Sequence, residues 1–313
     1  MSEYKKIHGI HVQALASDPS NLGAGQVWYN TTTNKLKITA VSTSGAWATG
    51  GNMATARNSL TGAGTQTAGL AFGGDANPTT NATEHYDGSA WTSGGNMGTA
   101  RTDLAGAGTQ TAGLGFGGGN PEIEGTEHYD GSAWTAGGNM GTGRSSHGSA
   151  GTQTAGLAFG GGYPITNTTQ HYDGSTWTAG GNMGTGRYYL GSAGTQTAGL
   201  AFGGSTYIAT EHYDGSAWTS GGNLGTGRYR LSGAGTQTAG LGFGGYDGSD
   251  DTNATEHYDG SVWTAGGNMG TARVSLGGAG TQAAGLAFGG SPTTNATEEY
   301  AGPGIISKTV TSS

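Results

Sequence analysis

Six arginines recur through this 313-residue chain, at Arg57, Arg101, Arg144, Arg187, Arg228 and Arg273. A glutamate follows in five of the copies, at Glu84, Glu127, Glu211, Glu256 and Glu298, and Gln170 takes its place in the other. A tryptophan recurs with them, at Trp47, Trp91, Trp134, Trp177, Trp218 and Trp263. Arginine and glutamate can bind sugar hydroxyls and an indole can stack on a sugar ring, so these residues offer six equivalent carbohydrate sites. The other chemistry is structural: a ring of charge-assisted hydrogen bonds joining neighbouring repeats, which is the reading expected here. Five histidines repeat at His85, His128, His171, His212 and His257. Each falls in a different copy, so they cannot converge on one metal ion, and a structural polar contact is expected. Asp247, Asp250 and Asp251 break the repeat. They lack the spacing of a full calcium loop and read as a solvated acidic loop.

The elements that position these residues come from the repeat itself. Each copy carries a version of Ala-Gly-Thr-Gln-Thr-Ala-Gly-Leu-Ala-Phe-Gly-Gly, a variable loop, then Thr-Glu-His-Tyr-Asp-Gly-Ser-Ala-Trp-Thr, with a period of 41 to 45 residues between tryptophans. A fixed period in this range marks an architecture in which each unit buries its apolar face against its neighbours. The first copy reads as four strands at about 58–63, 67–73, 83–86 and 90–93. Asp87-Gly88 predicts a two-residue hairpin with positive φ at both positions. Alternation puts Leu70 and Phe72 on one face and Gly69 and Ala71 on the other, so bulky side chains of one unit should fill space beside small residues of the next. Four antiparallel strands per unit, six units and no helical period predict an all-β, six-bladed β-propeller. Trp47 has no Tyr-Asp-Gly strand before it, and Tyr300 has no tryptophan strand after it. The strand around Trp47 should therefore complete the last blade and close the ring.

The order Arg, Gly-Gly, Tyr, Trp resembles kelch repeats over residues 46–303. In that family a glycine doublet ends the second strand, and a Tyr on the third strand precedes a Trp on the fourth. Here Tyr86 precedes Trp91, Tyr129 Trp134, Tyr172 Trp177, Tyr213 Trp218 and Tyr258 Trp263, always five positions apart, a shorter gap than is usual in kelch repeats. The segment Gly25-Gln26-Val27-Trp28-Tyr29-Asn30-Thr31-Thr32-Thr33-Asn34-Lys35-Leu36-Lys37 reads as a β-hairpin and is similar to a segment common in bacteriophage tail-fibre and other virion proteins. Together these resemblances imply a phage structural protein. They divide the chain into an attachment or oligomerisation module at 1–45, a propeller at 46–303 and a tail at 304–313. Trp28, Tyr29 and Leu36 would supply the module's apolar contact, with Ile305-Ile306 adding to it.

No enzyme activity and no cofactor are expected. Galactose oxidase, a kelch-type copper enzyme, uses a Tyr cross-linked to Cys, and this chain has no Cys. Sialidase boxes separate their Asp and Gly, which are adjacent here. The acids are nearly all copies of one repeat, whereas an active site breaks symmetry. A net charge of −8 with 12 Lys plus Arg argues against nucleic acid and anionic membrane surfaces as partners. No apolar run suggests a signal peptide or membrane insertion, which fits a protein made in the host cytoplasm and released in virions.

Between copies, two segments differ most: the loop after each Gly-Gly and the pair after each Arg. In an up-and-down blade both lie on the same face, where propellers usually bind. That rim carries Tyr163, Tyr188, Tyr189, Tyr207, Tyr229, Arg230 and Tyr246, residue types enriched at binding hot spots. The expectation is a virion protein of a fibre or spike, held to other virion proteins through residues 1–45, that binds a host-surface glycan or protein. A decoration contacting only virion proteins, a free multivalent lectin and a homo-oligomer are the alternatives.

Overall fold

A computed structural model describes residues 4–7, 10–20, 25–42, 44–119, 121–162, 164–205 and 207–309. These residues are all-β and fall into two compact units, Ala46–Ala301 and Met1–Gly45 with Gly302–Ser313.

The larger unit holds six four-stranded antiparallel sheets. The first runs Thr61–Thr65, Ala68–Phe72, Thr83–Tyr86 and Trp91–Ser93. The next four repeat this order along the chain. The sixth is made of Gly277–Gly280, Ala284–Phe288 and Thr297–Ala301, and its fourth strand is Ala46–Thr49 from the other end of the unit. Trp47 lies opposite Tyr300, the same register that sets Trp91 opposite Tyr86.

Each first strand begins about three residues later than the sequence pattern suggests, because the residues after each arginine are not extended. Ser59 has φ 51° and leads into the strand through a tight bend. The Asp-Gly turns also differ from a type I′ hairpin. Only Gly88 has positive φ; Asp87 instead accepts hydrogen bonds from the Ser89 amide, the Ser89 hydroxyl and the Ala90 amide, each at 2.8 Å. The aspartate side chain caps a wider loop, an alternative that a short carboxylate offers the backbone.

Packing between sheets follows the large-on-small alternation. A Cβ on Gly113 would sit 2.7 Å from the Leu70 side chain of the preceding sheet, and one on Gly69 would sit 2.7 Å from Leu286 of the sixth. Glycine here permits close approach, and the weak strand propensity is offset by burial of the facing leucine. Polar contacts repeat across every boundary. Each Trp Nε1 donates to a threonine hydroxyl of the preceding sheet at 2.9 Å, as Trp134 does to Thr83 and Trp91 does to Thr297. Each turn glutamine reaches two carbonyls of the preceding sheet; Gln110 donates to Gly69 and Tyr86, and Gln66 to Gly285 and Tyr300.

The smaller unit is a five-stranded sheet ordered Tyr4–Ile7, Ile10–Leu15, Val27–Asn30, Lys35–Ser42 and Gly304–Thr309. The hairpin read at 25–37 is present, and the tail is a strand of this sheet rather than a separate segment. Trp28 is 2% exposed, and its indole donates to Asp18 Oδ1 at 3.0 Å. This corrects its assignment as a partner contact: the ring is already buried in its own unit. Tyr29 and Leu36 are half-buried.

Candidate functional site

The repeated charged residues are structural in their contacts. The arginines are buried, and Arg57 donates to Glu84 at 3.0 Å and to the carbonyls of Gly73 and Ala82 in its own sheet. The other glutamate oxygen accepts a backbone amide, from Ala54 at Glu84 and from Gly184 at Glu211. The ion pair therefore ties the connecting segment to its own sheet, not to a neighbour. It is the arginine carbonyl that crosses, accepting from the second glycine of the preceding doublet, as Arg101 does from Gly74 at 2.8 Å and Arg57 from Gly290 at 2.9 Å. The histidines join neighbours directly: His85 Nε2 lies 2.7 Å from Tyr129 Oη, and His128, His171, His212 and His257 repeat the contact. At the sixth-to-first boundary Glu299 takes the histidine's place and accepts from Tyr86 at 2.5 Å. Burial and this carboxylate push the Tyr86 phenol up to about 12.

The acidic loop is held by its own backbone. Asp247 Oδ1 accepts amides from Ser249 and Asp250, and all three aspartates are exposed.

The two variable segments meet at one end of each sheet. Tyr229 and Tyr246 exchange backbone hydrogen bonds at 3.1 and 2.8 Å, as Asn58 and Asp75 do. The second residue after each arginine has φ between 51° and 56° in every copy: Ser59, Asp103, Ser146, Tyr189, Arg230 and Ser275. Their backbones are linked in sequence. The amide of Asp103 donates to Ser59, Ser146 to Asp103, Tyr189 to Ser146, Arg230 to Tyr189, Ser275 to Arg230, and Ser59 back to Ser275, at 2.7 to 2.9 Å.

All six of these residues line one cavity of about 170 Å³, with a layer of leucines and glycines beneath them. The Arg230 guanidinium sits 4.4 Å over the Tyr189 ring, and its Nη2 donates to the Tyr189 hydroxyl at 3.3 Å. Cation–π contact of this kind orients the guanidinium without using most of its donors. Tyr188 lies 5.3 Å from Tyr189, Tyr229 6.5 Å from Tyr189 and Tyr246 5.4 Å from Tyr229, ring centre to ring centre. Burial pushes the Asp103 carboxyl up, opposed by a Ser59 hydrogen bond and the Arg230 charge, with Asp75 adding to the rise.

Of the rim residues singled out in the sequence, Tyr188, Tyr189, Tyr229, Arg230 and Tyr246 thus form one cluster. Tyr207 does not join it: it is 46% exposed and, among the described residues, makes no ring contact with the other tyrosines. Tyr163 lies outside the described residues.

Sequence reading passed over Asp103 and His147. His147 occupies the place of Leu60, Leu104, Leu190, Leu231 and Leu276 in the other copies. It is 8% exposed, packs on Phe116, and has no hydrogen-bond partner at either ring nitrogen among the described residues. Burial and the nearby Arg144 charge hold its pKa well below the usual histidine value. The same copy carries Gln170, so Arg144 meets only neutral acceptors, Thr168 Oγ1 at 3.0 Å and Gln170 Oε1 at 3.2 Å, and burial brings its pKa down to about 10. The Gln170 departure was visible in the repeat, and aligning the six copies at the position three after each arginine would have exposed His147 as well.

No protein-family model matches the chain, and no curated protein is similar to it. Its function is therefore read from its own residues.

Proposed function

We propose that this chain is a non-enzymatic binding protein: a six-bladed, kelch-like propeller, closed by the strand at Ala46–Thr49, that presents one variable mouth to a glycan or protein on a host surface. The observation that carries this reading is the convergence of the positions that differ between copies. The shared residues hold the sheets and their connections in place, while the variable pair after each arginine brings its second member to one cavity in every copy. Ring closure is supported by the cycle of six backbone hydrogen bonds and by contacts from the first sheet to the sixth that match those between consecutive sheets. The non-enzymatic reading is supported by the glutamates, which are occupied by arginine and backbone amides. Display on a phage particle, on a fibre or spike, is the setting suggested by the resemblance of residues 25–37 to virion proteins, with residues 1–45 as the attachment.

The test is adsorption of purified protein to host cells. Replacing Tyr188 and Tyr229 by Ala and Tyr189 by Ser should abolish adsorption with the fold intact, since a hot-spot aromatic typically contributes about 2 kcal/mol or more, roughly thirtyfold in affinity. Serine is chosen at 189 because serine already adopts that backbone conformation at Ser59, Ser146 and Ser275. Replacing Gln196 on the opposite face should weaken the sheet boundary and leave binding unchanged. Equal adsorption by wild type and the tyrosine variant would remove the cluster as the site.

A further inference from the structure

We infer that the mouth takes the terminal residue of a glycan end-on, and that this residue is a single neutral sugar. The inference rests on the reading of the chain as a binding protein and narrows the ligand class.

Among the six mouth residues one cation, Arg230, opposes one anion, Asp103, and Asp75 is near enough to act on Asp103. Arg230 belongs to the fifth sheet and Asp103 to the second, three sheets apart around a cycle of six. The Arg230 charge acts on the Asp103 carboxyl, yet among the described residues the two form no ion pair. An anion drawn to Arg230 would face the Asp103 carboxylate, and a cation drawn to Asp103 would face the guanidinium. A neutral group carrying several hydroxyls suits both, since a hydroxyl donates to the carboxylate and accepts from the guanidinium. The remaining mouth residues, Ser59, Ser146 and Ser275, add hydroxyls that serve either role.

Size sets how the ligand enters. A cavity of about 170 Å³ is close in size to cavities that hold one six-membered ring and below the usual range for larger ligands. The rest of the lining is five leucines, His147 and the small residues that follow them. An internal residue of a polysaccharide would have to thread its chain through the ring of six backbone hydrogen bonds around the mouth, whereas a chain end need not. A chain end enters, and the next sugars then lie on the track formed by Tyr188, Tyr229 and Tyr246.

The experiment titrates the full chain with methyl glycosides of glucose, galactose, mannose, fucose, rhamnose and N-acetylglucosamine. Methyl glucuronide and methyl sialoside are the charged comparisons, and binding is followed by NMR of the tyrosine rings. Asp103→Ser and Arg230→Ser place at the mouth the residue that three copies already carry there. Asp103→Asn and Arg230→Lys serve if either serine variant loses its folded spectrum. At least one neutral glycoside should shift the Tyr189 ring, and each variant should weaken it at least about tenfold, while Tyr207→Ala leaves it unchanged. No binding by any neutral glycoside, binding by the charged ones alone, or binding indifferent to both variants would overturn the inference. Host-cell adsorption measured in parallel separates the two failures. Wild type and mouth variants adsorbing equally would sink end-on recognition and leave the binding function standing. A wild type that does not adsorb would sink the function itself.

Discussion

Two residues in the third copy depart from the repeat in ways that cost stability. His147 brings two polar nitrogens into a slot that leucine fills elsewhere, and Gln170 leaves the buried Arg144 without a carboxylate. An unsatisfied buried polar group costs about 1–3 kcal/mol, and a charge-assisted hydrogen bond contributes about 1.5–3 kcal/mol. His147→Leu and Gln170→Glu should therefore each raise the melting temperature by a few degrees, and they should add when combined only if the two sites do not share strain. The reverse change, Glu211→Gln, should lower it by a similar amount. Calorimetry on the single variants checks this; a destabilised Gln170→Glu would mean that Arg144 is already satisfied as it stands. Both departures were legible in the sequence, as mismatches between copies. Their burial was not, because a histidine in a leucine position reads equally well as an exposed one.

Between elements, five boundaries hang on a histidine–tyrosine contact and one on a tyrosine–glutamate contact. Desolvation lowers the pKa of all five histidines from the ordinary 6.5. The unfolded chain then takes up protons near pH 6.5, before the folded chain does. Stability is fully present above about pH 6.5 and is lost as pH falls through that value toward the folded values. The melting temperature should fall from pH 7.5 to pH 5, and replacing the five histidines by glutamine, which keeps a polar partner for tyrosine, should lessen the slope and leave the part that His147 contributes. A melting temperature that ignores pH over this range would contradict the assignment. The strand order within each sheet could be read from turn residues and alternation. The start of each first strand could not, because Ser59, Asp103, Tyr189 and Arg230 give no sign in their chemistry of positive φ. That conformation comes from the backbone cycle at the mouth, a contact between units that periodicity within one unit does not encode. Ile305-Ile306 were expected to add to the N-terminal module, but not that Gly304–Thr309 is a strand of its sheet, because its partner, Lys35–Ser42, lies at the far end of the chain.

At the scale of the whole molecule, the proposed closed ring, and the mouth with it, depends on the strand from the start of the larger unit completing its last sheet. Without Ala46–Thr49 the sixth sheet ends on an unpaired edge, and Trp47 no longer reaches Thr255 or packs on Phe243 and Tyr300. The split hairpin made this join readable in the sequence, since Trp47 lacks a strand before it and Tyr300 a strand after it. The chain contains no cysteine, so a pair introduced at Ala46 and Ala301 has one intramolecular bond to form. These alanines face each other across the join, and paired strands bring Cα atoms to about 4.5–5.5 Å, within the reach of a disulfide. Oxidation of Ala46→Cys with Ala301→Cys should give a monomeric, intrachain-bridged protein that melts at a higher temperature than its reduced form, because the bridge closes a loop that spans the whole unit. Failure of the folded protein to form this bridge, or bridging only between molecules, would contradict the closed ring and the single mouth it assembles.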